Sequence, residues 1–105
     1  MYIRFEWSDA KDLLSQRKHD VSFEVAALVF DDENCLVLAD RVDDETGELR
    51  WHAIGKVQIE AGFEALLLVS HVYREDDNGE QVIRIISARA AEKHEVRRYQ
   101  EQEME

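Results

Sequence analysis

The sequence contains no proline, four glycines and one cysteine in 105 residues. Because a lone cysteine cannot form an internal disulfide, the sequence fits a reducing compartment, and we interpret Cys35 as an inert thiol. The glycines form no cluster, which disfavours a nucleotide site built on a P-loop or a Rossmann turn. No apolar run reaches the roughly 18 residues that span a bilayer, and the first residues do not resemble a signal peptide. These absences predict a cytoplasmic protein that does not associate with membranes.

The histidines are also few and widely separated. They occur at positions 19, 52, 71 and 94, with no His-x-x-x-His spacing and no pair of cysteines nearby. Zinc sites in proteins commonly draw on such closely spaced ligands. We therefore expect neither a metal site nor a cofactor.

Positive charge is scarce and unevenly distributed. Thirteen Lys and Arg residues stand against 24 Asp and Glu residues, so the formal net charge is −11. Residues 21–48 hold nine acidic side chains and only Arg41 as a basic one, whereas residues 82–99 hold five basic and two acidic ones. The acidic block repels a polyanion such as RNA at long range, so composition alone argues against a nucleic-acid binder. It leaves room for a small cationic site on another face.

The first third of the chain predicts a short strand followed by two helices. Residues 1–7 alternate as in a strand, and Ser8 or Asp9 then caps a helix over residues 10–18. The side chains of this helix that we expect to be buried form an apolar stripe: Ala10, Leu13 and Leu14. Ser22 is the predicted N-cap of a second helix, whose apolar positions recur at helical spacing: Phe23, Ala26, Ala27 and Phe30. A polar turn at residues 31–34 ends it.

After residue 34 the apolar period changes from 3.6 to 2, which predicts four strands. They cover residues 35–39, 49–54, 65–73 and 81–86, and the second of them stops near Gly55. Residues 43–47 and 75–79 are turn sequences, so consecutive strands run antiparallel. The third strand is the most apolar and is expected at the centre of the sheet.

The last strand leads into a helix. Residues 82–86 are β-branched apart from Arg84, and Ser87 offers an N-cap for a helix over residues 88–102. The order of elements predicts one α+β domain over residues 1–105, with two N-terminal helices, an antiparallel four-stranded meander and a C-terminal helix. The helices are expected on one face of the sheet, and the short N-terminal strand is a further candidate for it.

Several of these segments resemble the BrnT toxin family. The N-terminal similarities are residues 5–7 with Ala10 and Lys11, then residues 17–19, 21–24, 26–27 and 29–30. The later ones are Arg50 with residues 54–55, residues 67–69, and residues 84–89 with Glu95 and Tyr99. They follow the family's order and spacing over essentially the whole chain. Two departures are Asp20, where the family commonly has glycine, and the strongly acidic charge.

The resemblance implies a RelE-like fold and the toxin component of a type II toxin-antitoxin system. Such a toxin is a metal-independent endoribonuclease that cleaves RNA and inhibits translation, and a BrnA-like ribbon-helix-helix antitoxin neutralises it. The resemblance implies contact with DNA only indirectly, through the antitoxin. Docking of the antitoxin is one hypothetical use of the acidic block.

Cleaving RNA without a metal requires a base for the 2′-hydroxyl, positive charge beside the phosphoryl oxygens and an acid for the leaving 5′-oxygen. Arginine suits the second task because its planar guanidinium stays charged and matches two phosphate oxygens. Our candidates are Arg50, Arg84 and Arg89. The same side chains also suit ordinary ion pairs with Asp or Glu at a sheet edge or helix end.

For proton transfer the candidates are His19, Glu95 and Tyr99, with His52 and His71 behind them. Glu95 and Tyr99 are four residues apart, so they share a face of the predicted helix. The alternatives are a surface pair for Glu95, a ring packed on the sheet for Tyr99 and a turn position for His19. We assign His94 to solvent, and Trp7 and Trp51 to core packing.

Two functions from different classes remain open at this point. The first is the ribonuclease toxin that the resemblance implies. The second is a catalytically inactive binding module of the same fold that acts as an antitoxin partner or co-repressor, and the acidic net charge favours it.

Overall fold

The computed structural model describes residues 3–103 and confirms the α+β class. Within this range none of the helices is long and apolar enough to cross a bilayer. A 3-10 helix over Ala27–Asp31 extends the second α-helix directly. The strands and α-helices follow in the order β1 Ile3–Glu6, α1 Asp9–His19, α2 Phe23–Ala26, β2 Leu36–Val42, β3 Leu49–Glu60, β4 Phe63–Glu75, β5 Gln81–Ala90 and α3 Lys93–Glu103.

The strands form one mixed sheet in the order β1-β5-β4-β3-β2. Strands β2 to β5 make the predicted antiparallel meander, with β4 at its centre as expected. The predicted N-terminal strand is confirmed for residues 3–6, and positions 1 and 2 lie outside the described residues. It pairs in parallel with the first half of β5, so the sheet has five strands and a mixed direction. The predicted four-stranded meander is therefore only part of the sheet.

The first helix forms as predicted but buries a different face. Ser8 is its N-cap, accepting a hydrogen bond from the backbone N–H of Lys11. The predicted buried stripe is wrong, because Leu13 and Leu14 are 55% and 48% exposed and Ala10 is exposed too. The buried residue is Ser15, whose hydroxyl donates to the carbonyl oxygens of Val21 at 2.7 Å and Ala88 at 3.2 Å.

The position of α1 explains this inversion. Since β1 pairs with β5 only as far as Arg84, the outer edge of β5 beyond that residue has no strand neighbour among residues 3–103. Helix α1 lies along this edge, and Ser15 satisfies the Ala88 carbonyl that a neighbouring strand would otherwise pair. The helix is therefore held by a polar contact to backbone, which an apolar periodicity does not predict.

The second helix begins at the predicted cap and then tightens. The Ser22 side chain accepts from the N–H of Val25, and the chain passes into the 3-10 helix after Ala26. Three residues per turn replace 3.6 in a 3-10 helix, so positions three apart share a face. Phe23 and Ala26 are buried as predicted and Val29 joins them, whereas Ala27 and Phe30 pack against the core only half-buried.

The helices cover opposite faces of the sheet, so the prediction of one covered face is wrong. Helix α2 and the 3-10 helix pack on the face that carries Ala53 and Val69, which we call the α2 face. Helix α3 packs through Tyr99 on Ile54 and Leu68. Ile54 is the neighbour of Ala53 on β3, and Leu68 is the neighbour of Val69 on β4. Because neighbouring residues of a strand point to opposite sides, this is the other face, which we call the α3 face.

Two predicted boundaries are also wrong. Strand β3 continues through Gly55 to Glu60 because it stays paired with β4, and the glycine lets the backbone of Val29 pack directly against the strand. Strand β5 continues through Ser87, which pairs with Ser70, and does not end there as a helix cap. Helix α3 begins at Lys93, where the Glu95 carboxylate accepts from the N–H of Glu92 as in half of a capping box.

Replacing Gly55 by alanine is expected to lower the free energy of unfolding by about 1–3 kcal/mol, the usual cost of overpacking a core. The added Cβ would lie 2.8 Å from the Val29 carbonyl oxygen and 3.0 Å from the Val29 Cβ. Urea unfolding of Gly55→Ala measures the effect, with Gln58→Ala as an exposed control on the same strand. Equal stability of the two variants would show that the 3-10 helix does not pack as described.

Candidate functional site

The α3 face is covered at one end and open at the other. Helix α3 contacts Ile54 and Leu68, whereas at the far end the three central strands present polar side chains. In the middle row, Ser70 lies opposite His52 on β3 and opposite Ser87 on β5. In the next row, Val72 lies opposite Arg84. The open part of the face is therefore built from β3, β4 and β5, the three inner strands of the sheet.

A cavity of about 110 Å³ lies at this open end. Its lining includes four basic side chains, which together define what we call the arginine cleft: Lys11, Arg50, Arg74 and Arg84. Thr46, Glu48, Val72 and Ile86 complete the lining. Four of the 13 basic residues of an acidic chain thus meet at one small site.

Each arginine of the cleft is held by a carboxylate. Arg50 Nη2 lies 2.6 Å from Asp43 Oδ2, and Arg84 Nη1 donates to Glu6 Oε2 at 3.0 Å. Arg74 donates through two nitrogens to the two oxygens of Glu48, at 3.1 and 2.9 Å. Among residues 3–103, the Lys11 ammonium forms no ion pair. Four cations and three carboxylates leave the cleft with a surplus of one positive charge.

The partner carboxylates are ionised by their own local structure. Backbone N–H groups of Thr46 and Glu45 donate to Asp43 and lower its pKa, and the Arg50 charge lowers it further. Hydrogen bonds from Arg74 likewise hold the pKa of Glu48 below its ordinary value. Both acids therefore remain charged near neutral pH and keep the guanidinium groups oriented toward the cleft.

The Nε–H of Arg50 stands out among the donors of the cleft. It is buried, and within the described residues it has no hydrogen-bond partner. A buried donor without an acceptor typically costs about 1–3 kcal/mol. An anion bound in the cleft would offer this group an acceptor.

A histidine and an aspartate lie beside the arginine cleft. His52 Nε2 is 3.3 Å from Asp40 Oδ2, and both side chains are about one-third exposed. His52 precedes the buried Ile54 by two residues on β3, so its ring projects from the α3 face, one row from Arg50. This places a solvent-accessible imidazole with an orienting carboxylate next to the cationic residues.

The structure brings Arg50 and Arg84 together, as the sequence predicts, but places Arg89 in a different pairing. Arg89 donates to both oxygens of Glu95, at 2.7 and 3.0 Å. These hydrogen bonds lower the pKa of Glu95, so this largely buried acid is ionised. Glu95 is thus an acceptor that fixes Arg89 and the start of α3.

Tyr99 lies on the helix face predicted for it but turns away from Arg89 and Glu95. It is 1% exposed, and its hydroxyl donates to Asp32 Oδ2 at 2.5 Å. The same carboxylate oxygen accepts from the backbone N–H of Lys56 at 2.8 Å. Burial opposes ionisation of Asp32, but these hydrogen bonds outweigh it and lower its pKa. The four-residue spacing of Glu95 and Tyr99 therefore does not bring them to one common group.

The remaining histidines have separate environments. His19 is exposed at the end of α1 and lines a second cavity on that side of β5. His71 is fully buried on the α2 face against Phe30, and burial lowers its pKa to about 4, so it is neutral at pH 7. His94 is 71% exposed, as predicted.

Cys35 and Trp7 follow their predicted roles, whereas Trp51 is only half-buried, against a tyrosine that is itself partly exposed. Burial raises the pKa of the Cys35 thiol to about 11, so the nucleophilic thiolate is scarce at neutral pH. Trp7 packs edge-on against Phe23, and Trp51 against Tyr73. These contacts are those of packed rings.

Sequence reasoning missed Arg74, Lys11 and the His52 pair with Asp40. Arg74 follows Val72 by two residues, so the strand alternation places it on the same face, and this signal was available once the pairing with Arg84 was known. Lys11 reaches the cleft because α1 packs along β5, which no local pattern indicates.

Among residues 3–103, one group of side chains has the spacing of possible metal ligands: Glu92, His94 and Glu95. Both oxygens of Glu95 already accept from Arg89. A cation would have to displace the guanidinium, and the other two side chains are exposed. We therefore interpret these three side chains as part of the structure at the start of α3 and not as metal ligands.

A comparison with protein families identifies one match that spans most of the chain. The family model described as ribonuclease toxin, BrnT, of type II toxin-antitoxin system matches residues 7–95. The matched range includes every residue of the arginine cleft, together with His52 and Asp40. A search of curated proteins found no significant match to the sequence.

Glu95→Gln is expected to lower the free energy of unfolding at pH 7 by about 1.5–3 kcal/mol, the range for hydrogen bonds to charged groups. The folded-state pKa of Glu95 lies below its ordinary value of 4.5. The ionised carboxylate therefore stabilises the fold above that pH, and this stabilisation is lost as the pH falls through the folded-state pKa. The difference between wild type and variant should therefore shrink on acidification below about pH 4.5.

Denaturant unfolding at several pH values measures this difference. Glu101→Gln, an exposed position on the same helix, is the control and should change stability by no more than about 0.5 kcal/mol. A gap between wild type and Glu95→Gln that stays constant with pH would contradict the role given to the Glu95 charge.

Proposed function

This chain belongs to the family of BrnT ribonuclease toxins of type II toxin-antitoxin systems, and from that premise we propose that it cleaves RNA without a metal in the arginine cleft. The observation that carries the proposal is the convergence of Lys11, Arg50, Arg74 and Arg84 on one open end of the sheet. A guanidinium binds two phosphate oxygens through parallel N–H groups. The cleft therefore has the chemistry to hold an RNA phosphodiester.

Binding of the phosphate in this proposal is an exchange of partners. The arginines of the cleft are already oriented by Glu6, Asp43 and Glu48, and the incoming phosphate takes over part of their hydrogen bonding. Since these contacts pre-order the side chains, less conformational entropy is lost when the substrate binds. Arg50 also gains an acceptor for its unpaired Nε–H if it moves toward the phosphate.

We assign the proton transfer to His52. In the reaction a base removes the 2′-hydroxyl proton, the 2′-oxygen attacks phosphorus, and the 5′-oxygen leaves with a proton, giving a 2′,3′-cyclic phosphate and a 5′-hydroxyl. Asp40 orients the His52 ring, and the cleft arginines stabilise the charge that develops on the phosphoryl oxygens. His52 acts as the base, and because the 5′-oxygen leaves on the opposite side of the phosphorus, its proton comes from a second donor, either solvent or the Lys11 ammonium of the cleft.

The other predicted catalytic residues receive different roles. Arg89, Glu95 and Tyr99 make their closest contacts within the packing of α3, so we propose that they position α3 and the nearby strands and do not transfer protons. His19 lines the second cavity at the C-terminal end of α1, and we assign it to substrate binding.

The family of type II toxins implies an antitoxin as partner. We propose that this partner is a BrnA-like ribbon-helix-helix protein encoded beside the toxin, and that the chain contacts DNA only through it. We further propose a RelE-like fold, inhibition of translation as the result of RNA cleavage, and action in the cytoplasm, where the RNA substrate is found. The sequence of the neighbouring gene tests the identity of the partner directly.

One observation favours the second candidate function, a catalytically inactive binding module. Every arginine of the cleft is already paired with a carboxylate, and a surplus of one charge attracts RNA weakly. In that case the fold serves as an antitoxin partner or co-repressor. Its signature would be a tight complex with the partner and intact RNA.

The purified chain, freed of its partner, is expected to cleave RNA in the presence of excess EDTA and to yield 2′,3′-cyclic phosphate ends. Arg84→Ala and His52→Gln should each lower the cleavage rate at least about 100-fold, since each removes one of the groups that act on the transition state. Gel analysis of a labelled RNA and end-group analysis of its products give the rate and the chemistry. Induced expression should arrest growth only for the cleaving forms.

Arg17→Ala is the matched control, because it removes an exposed arginine from α1 that does not line the cleft. It should retain at least half of the wild-type rate. Cleavage that EDTA abolishes would contradict the metal-independent mechanism. A folded wild type that leaves RNA intact while binding its partner would support the second function.

A further inference from the structure

A second cavity, of about 220 Å³, lies between α1 and the outer edge of β5. Its apolar walls come from the side of α1 and from the end of β5. Its polar lining comes from the hydroxyl groups of two serines and from the basic residues of α1. The lining consists of Lys11, Leu14, Ser15, Lys18, His19, Phe23, Ile86, Ser87 and Ala88.

This cavity adjoins the arginine cleft. Lys11 and Ile86 line both of them, so the two spaces meet at these side chains. The cause is a β-bulge in β5: Ser87 pairs with Ser70 and Ile85 with His71, which leaves Ile86 without an opposite residue on β4. A bulge re-aims its side chain, and here it places Ile86 at the junction of the two cavities.

The walls and the rim of the second cavity differ in chemistry. Leu14 is 48% exposed, and the buried residue of its helix is Ser15. Core packing therefore does not explain why an apolar side chain stands at position 14. Together with Ile86 it offers apolar surface, while Lys11, Lys18 and His19 add basic groups. A neutral planar ring attached to a phosphate matches such a site, since the ring covers the apolar walls and the anion meets the cations.

We propose that this cavity is the subsite for one base of the RNA, on the nucleotide next to the phosphate held in the arginine cleft. The inference rests on the proposed function, because it takes RNA as the ligand of the adjoining cleft. The volume is below the roughly 300–1,000 Å³ of pockets for drug-sized molecules, which suits a single ring system. His19 can stack on the exposed face of the base, as histidine does in RNA-binding proteins.

Lys11 connects the two subsites in this arrangement. It belongs to both linings, so its ammonium can reach the phosphate held in the arginine cleft next to the bound base. It is also the member of the arginine cleft for which the described part of the chain provides no ion pair. Contacts in the base subsite also supply short-range affinity for RNA, which a chain of net charge −11 cannot obtain from long-range attraction.

Two-dimensional NMR titration of the ¹⁵N-labelled protein tests the subsite without any cleavage. The probes are the four ribonucleoside 5′-monophosphates, with ribose 5-phosphate as the probe that has the phosphate and lacks the base. We expect at least one nucleoside monophosphate to shift the amides of Ser87 and Ala88 and to bind at least tenfold more tightly than ribose 5-phosphate. Leu14→Glu should weaken this binding at least tenfold.

Leu13→Glu is the matched control, because it adds the same charge at an exposed leucine of the same helix that does not line the cavity. It should change the affinity less than twofold. Equal affinities for ribose 5-phosphate and every nucleoside monophosphate, or equal effects of the two variants, would overturn the base subsite. So would nucleotide shifts confined to the amides around Arg50 and Arg74.

The outcomes separate this inference from the proposed function. Base-dependent binding with RNA left intact supports the subsite and contradicts the ribonuclease activity. Cleaved RNA with no base-dependent binding supports the activity and overturns the subsite. Displacement of a bound nucleotide by an acidic peptide but not by RNA would identify the slot as a protein-docking site and also overturn the proposal.

Discussion

The carboxylate of Asp32 determines which part of the α3 face is covered. It lies at the end of the 3-10 helix, and one of its oxygens accepts from the backbone of Lys56 in β3 and from the hydroxyl of Tyr99 in α3. The other oxygen accepts from the N–H of Asn34. A single side chain thus connects the helical layer on one face of the sheet with the helix on the other. Because Tyr99 is fixed there, α3 covers Ile54 and leaves the opposite end of the strands open.

The open end carries its positive charge in a form that an acidic chain tolerates. Each cleft arginine is paired with a carboxylate from a neighbouring strand or turn, and local hydrogen bonds keep Asp43 and Glu48 ionised. Charges are screened beyond about 8 Å at physiological salt, so the acidic block at residues 21–48 weakens encounter with RNA more than it weakens contact once RNA is bound. Affinity must then come from direct contacts such as guanidinium forks and a covered base.

Local signals in the sequence were sufficient for the meander and for the starts of α1 and α2, and insufficient for the start of α3 and the contacts between elements. Turn residues and the caps Ser8 and Ser22 act within a few positions, so they could be recognised directly. The buried face of α1 could not, because it depends on where the pairing of β1 with β5 ends. Glu95 and Tyr99 share a helix face as expected, yet each binds a partner from a different element, which only the packed fold supplies.

The bulge at Ile86 determines which face of the sheet Arg89 occupies. Arg84 and Arg89 are five positions apart, and in a regular strand an odd spacing would place them on opposite faces. The bulge adds one residue to β5, so Arg84 lies opposite Val72 and Arg89 opposite Leu68, two positions on the same face of β4. Without it Arg89 would turn to the α2 face, and Glu95 would lose the donor that fixes the start of α3. The arrangement of the whole α3 face therefore depends on a register shift that the sequence pattern of β5 does not reveal.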